Sequence, residues 1–97
     1  MKSIKVAIRE IMEKIPSGKL FDSHFVINYL VSDYSDVYLT FAAAGANPIK
    51  KTNSIHGRIA QIIKKQKDLV VQFGEMGEFY SDNIRGNPSE CTGWRKI

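Results

Sequence analysis

At 97 residues, with 43% hydrophobic and 25% charged side chains, the chain has the composition of one small globular domain, 1–97, and no bias toward disorder. A single cysteine, Cys91, excludes an internal disulfide and a cysteine-based zinc centre, and no apolar run approaches the roughly 20 residues that cross a bilayer. A cytoplasmic protein with no membrane partner is therefore expected, and the net charge of +4 points to a polyanion.

In chain order, Ile4, Ala7, Ile8, Ile11, Met12 and Ile15 recur at i, i+3, i+4 and i+7, which predicts an amphipathic first helix. Pro16-Ser17-Gly18 ends it, because proline cannot continue the hydrogen-bond ladder and glycine closes helices readily. Lys19-Leu20-Phe21 reads as a short extended segment, and Asp22 or Ser23 can cap a second helix carrying Phe25, Val26, Tyr29 and Leu30. Between Ser32 and Asn47 the helical spacing of Tyr34, Val37, Tyr38 and Phe41 predicts a short extra helix, broken at Gly45-Ala46-Asn47-Pro48.

Thr52, Asn53 and Ser54 are capping residues placed before Ile55, Ile59, Ile62 and Ile63, so a third main helix is expected from 54 to 65. Leu69 to Phe73 and Phe79 to Ser81 have strand composition around a glycine turn, and Arg85 to Glu90 form a polar loop before a last strand, Cys91 to Ile97. The C-terminal third is expected to be an antiparallel hairpin or three-stranded sheet.

The charge is concentrated. Residues 1–36 carry five basic and five acidic side chains and residues 68–97 carry three and five, whereas the intervening segment carries Lys50, Lys51, Arg58, Lys64, Lys65 and Lys67 and no acid. Such a cluster is either a solvated helix face or a surface that displaces counterions from phosphate. At 100° per residue Asn53, Ser54, Gly57, Gln61 and Lys64 lie opposite the isoleucines, with Arg58 and Lys65 on one flank. Asn and Gln can pair bidentately with adenine, Arg with guanine, and Lys or Ser with phosphate. Gly57 costs roughly 1 kcal/mol in a helix interior, so it either admits another backbone or relieves crowding within the protein.

The order helix, short strand, helix, helix, hairpin resembles the winged helix-turn-helix superfamily over nearly the whole chain. It departs from the tight motif by the long insertion from Ser32 to Lys51. The resemblance implies an α+β winged helix: three to four helices plus a C-terminal hairpin, or wing. It further implies a small transcriptional regulator, acting as a homodimer, that binds double-stranded DNA with the helix 54–65 in the major groove. The DNA-contacting set is then Lys50, Lys51, Asn53, Ser54, Gly57, Arg58, Gln61 and Lys64, with Arg85 and Asn87 on the wing near 85–90. Those two also suit an ordinary polar turn. Trp94 is either a core anchor or a stacking group, and Tyr29, Tyr34, Tyr38, Phe21 and Phe25 read as core or dimer packing.

No nucleophile elbow, phosphate loop or metal-ligand spacing accompanies His24, His56, Asp22 or Cys91, so neither catalysis nor a cofactor or metal is expected. His56 reads as a helix-surface hydrogen-bonder or a phosphate contact. The competing reading is a protein-interaction module on the same scaffold, a complex subunit or a phage or mobile-element protein, whose insertion offers Val37, Tyr38, Leu39 and Phe41 to a protein partner.

Overall fold

The computed structural model describes residues 2–44, 51–74, 79–82 and 88–97, with side chains described for 2–44, 55–74 and 91–97. Helix α1, Ile4–Glu13, starts where Ser3 Oγ accepts the Val6 amide at 3.2 Å, and it buries Ala7, Ile8, Ile11 and Met12. It ends before Ile15, which still reaches the core from the turn that follows. Gly18 adopts φ +84°, a left-handed conformation that a Cβ would strain, and so delivers the chain into strand β1, Leu20–Asp22.

Asp22 is the cap of helix α2, Ser23–Asp33: its carboxylate accepts the Phe25 amide at 2.9 Å. Helix α3, Ser35–Ala44, is the extra helix that the spacing predicts. Helix α4, Lys51–Lys65, begins one turn earlier than expected, so Thr52, Asn53 and Ser54 lie inside it rather than at its cap. A capping preference is worth about 1 kcal/mol and does not by itself fix a boundary.

Strands β2, Val70–Phe73, β3, Phe79–Asp82, β4, Pro88–Cys91, and β5, Gly93–Lys96, complete the fold. The expected last strand, Cys91 to Ile97, is interrupted at Thr92, because the Thr92 carbonyl turns to the start of α2 and accepts from Ser23 N at 3.0 Å and Ser23 Oγ at 3.3 Å. Pro88, Ser89 and Glu90 belong to β4 and not to the loop; proline at the first position of a strand removes no interior ladder bond.

The sheet is antiparallel in the order β1-β5-β2, with Phe21 opposite Trp94 and Gln72 opposite Trp94 on the other side. Strands β3 and β4 pair separately, Phe79 with Cys91 and Asp82 with Pro88. Helices and sheet meet at one core of Ile8, Met12, Val26, Ile27, Leu30, Ile55, Ile59, Ile63, Val70 and Trp94. Trp94 is only 1% exposed, and its indole N–H donates to Ser23 Oγ at 3.0 Å, so it is a core anchor.

The architecture is α+β, four helices with a small antiparallel sheet, and is compatible with a small winged-helix-like fold. Of the two packings expected for Phe25 and Tyr29, core or dimer, the core is not the one they take: at 39% and 41% exposure they stand outside it. Among the described residues no helix is long and apolar enough to cross a membrane.

Candidate nucleic-acid interface

Helix α4 is positioned by its isoleucines. Ile55, Ile59 and Ile63 are buried against α1 and α2, while Gly57, Arg58, Gln61 and Lys64 are exposed. Burial of each isoleucine contributes about 1.5–3 kcal/mol, which fixes the rotation of the helix and therefore which side chains face water. Gly57, Gln61 and Lys64 follow i, i+4, i+7 and share one stripe, with Arg58 beside them.

Gly57 is settled by space. Among the described residues a Cβ built on it would meet nothing within 4 Å, which counts against the reading that it relieves crowding within the protein. The residue leaves a smooth, open stretch of backbone on the outward face, flanked by a guanidinium and an amide.

Arg58 is not free-standing. Its guanidinium lies 4.7 Å from the Phe41 ring centroid, a cation–π contact that draws α3 against α4. On the other side of the same junction, His56 Nε2 and Tyr38 Oη are 3.0 Å apart, so the hydrogen bond expected of His56 goes to a residue of α3. These two aromatic supports on α3 are missing from the sequence-based set. Their spacing of three is visible in the sequence but reads equally as an apolar surface.

The C-terminal end of α4 is held from α1. Arg9 donates from Nη1 to Gln66 Oε1 at 2.7 Å and makes a two-pronged bridge to Asp68, Nη1 to Oδ1 at 3.0 Å and Nη2 to Oδ2 at 2.7 Å. The hydrogen bond from Arg9 holds the Asp68 carboxyl below its ordinary value of 3.8, and the Arg9 pKa rises correspondingly. The acid that closes the acid-free window is therefore neutralised by α1, which leaves Lys64 and Lys65 in the last turn of α4 without an acidic partner among the described residues. Cations there also complement the helix dipole.

Of the other expected contacts, Lys51, Asn53 and Ser54 fall on the first turn of α4, where the structure describes backbone only. Lys50, Arg85 and Asn87 lie outside the described residues.

The insertion is less open than expected. Val37 is buried, Tyr38 and Phe41 are half-buried, and only Leu39, at 62% exposure, faces solvent fully. No group of His, Cys, Asp and Glu among the described residues could hold a metal ion. Compared with protein-family models, with curated proteins and with solved structures, the chain finds no match.

Proposed function

We propose that this chain is a double-stranded DNA-binding protein of the winged helix-turn-helix superfamily, a small cytoplasmic transcriptional regulator that acts as a homodimer and lays α4 in the major groove. One observation carries the reading: an open glycine, Gly57, sits on the exposed stripe of a helix without a single acid, among Arg58, Gln61 and Lys64. Glycine lowers helix stability by roughly 1 kcal/mol, and no contact among the described residues offsets that at this position. Close approach of a phosphate backbone or base edge supplies a use for the missing side chain. In this reading Arg58 and Gln61 address base edges, Lys64 and the lysines at 50 and 51 address phosphates, and Arg85 and Asn87 reach the flanking backbone from the wing.

The test is a titration of the full chain against duplex DNA at two salt concentrations. Affinity should fall steeply with salt, and Lys64→Ala should lower the slope of log K against log salt by about one. Salt-indifferent binding, or none at low salt, sinks the proposal. The protein-interaction alternative retains one large exposed apolar side chain on the described part of the insertion, Leu39, and so has less to rest on.

A further inference from the structure

Away from α4, the end of α1, strand β1 and the outer side of α2 enclose a groove of about 430 Å³. Its apolar lining includes Ile11, Ile15 and Leu20 together with a ladder of rings. Phe21 and Phe25 are 6.2 Å apart between centroids, and Phe25 and Tyr29 are 5.1 Å apart with planes tilted by 51°. Phe25 and Tyr29 pack on each other while each keeps about two-fifths of its surface open to solvent, at 39% and 41% exposure.

Two ammonium groups, Lys14 and Lys19, line the groove, and among the described residues neither has a salt-bridge or hydrogen-bond partner. The one carboxylate in the lining, Asp22, already accepts the Phe25 amide. The Tyr34 hydroxyl donates to Glu10, and Lys96 Nζ donates to the Ile15 carbonyl at the end of α1. The lining therefore carries two ammonium groups against one carboxylate, a net charge of +1.

We propose that this groove binds a small aromatic carboxylate, with its ring extending the Phe25–Tyr29 ladder and its carboxylate between Lys14 and Lys19. The volume lies within the range of about 300–1,000 Å³ typical of small-molecule sites, and a ring added edge-to-face or offset to the ladder satisfies the quadrupole preference of aromatic pairs. Charge complementarity selects an anion over a neutral ring of the same shape. The site uses none of the exposed face of α4, so it stands or falls separately from DNA binding.

The experiment is an amide-resolved NMR titration of the full chain with 2-naphthylacetate and, in parallel, its neutral analogue 2-naphthylacetamide. Shifts should concentrate between Ile11 and Tyr34, and the acid should bind about five-fold more tightly than the amide, as two exposed ion pairs allow. Lys14→Gln with Lys19→Gln should abolish that preference and leave amide binding unchanged, whereas Phe25→Ser should weaken both ligands. Equal binding of acid and amide by the parent protein overturns the proposal. So does an absence of shifts up to about 10 mM ligand, or a set of shifts centred on α4.

Discussion

Helices α1 and α4 are built alike and use their charges differently. Each buries a stripe of isoleucines in the same core, Ile8 and Ile11 from one and Ile55, Ile59 and Ile63 from the other. On α1 two of the four charges are tied into the fold: Glu10 takes the ammonium of Lys2 at 2.6 Å and the hydroxyl of Tyr34 at 3.0 Å, and Arg9 is occupied by Asp68 and Gln66. On α4 there is no acid to take, Arg58 rests on a ring, and Lys64 and Lys65 face water. A count of basic residues is thus informative only after intramolecular partners are subtracted. Helix α1 ties Arg9 and Glu10 into the fold, whereas none of the cations of α4 meets an acid among the described residues.

The largest effects should not distinguish the two helices. Ile8→Ala and Ile59→Ala each remove a fully buried side chain, and each should cost about 2–5 kcal/mol in denaturant unfolding. A much smaller loss at Ile59 would mean that α4 is not docked as described, and the exposed stripe would lose its definition.

Next come the exposed faces, where the helices should part. Arg58→Ala should weaken DNA binding by about 1–3 kcal/mol and relax preference at one base position, read by titration against a panel of duplexes. Arg9→Ala on α1 should instead leave Asp68 and Gln66 without their donor and lower the unfolding midpoint, with DNA affinity held within about two-fold. If both variants lose DNA binding equally, the division between building charge and spare charge fails.

A smaller effect at Gly57 should move stability and affinity in opposite directions. Gly57→Ala should stabilise the fold by roughly 0.5–1 kcal/mol, because nothing lies within 4 Å of the added methyl and alanine is the better helix former. The same substitution should weaken DNA binding. Stability rising while affinity falls, measured on one protein preparation, is what a glycine kept for close approach predicts; affinity unchanged would leave Gly57 with no functional role.

Much of the fold is legible in the sequence because apolar spacing is a direct consequence of which side must be buried. The stripes of α1 and α4 and the cap at Asp22 follow from residues a few positions apart. The break at Thr92 is not legible, since it depends on a hydrogen bond to Ser23, distant in sequence. The same holds at the candidate site. Exposure of Gly57, Gln61 and Lys64 follows from the helical wheel, but the contact of Arg58 with Phe41 and of His56 with Tyr38 requires knowing how α3 crosses α4. Phe25 and Tyr29 read as core or dimer packing because large apolar rings are usually well buried, and no local signal says when a groove forms beside them.

The smallest effect tests the partnered charges of α1 through pH. Both Glu10, held down first by Lys2 and then by Tyr34, and Asp68, held down by Arg9, have folded pKa values below their ordinary 4.5 and 3.8. A depressed carboxylate contributes stability that is present above the unfolded pKa and is lost as pH falls through the folded value. The loss should therefore begin below about pH 4.5 and deepen as pH falls through the depressed folded values, modest because these pairs are exposed to solvent and to salt. Thermal unfolding at about pH 7 and about pH 3 should show a drop that shrinks in Glu10→Gln and again when Asp68→Asn is added. Raising salt should shrink it too, since screening weakens the same pairs. An undiminished drop in the double variant would place the acid sensitivity outside the α1 partnerships altogether.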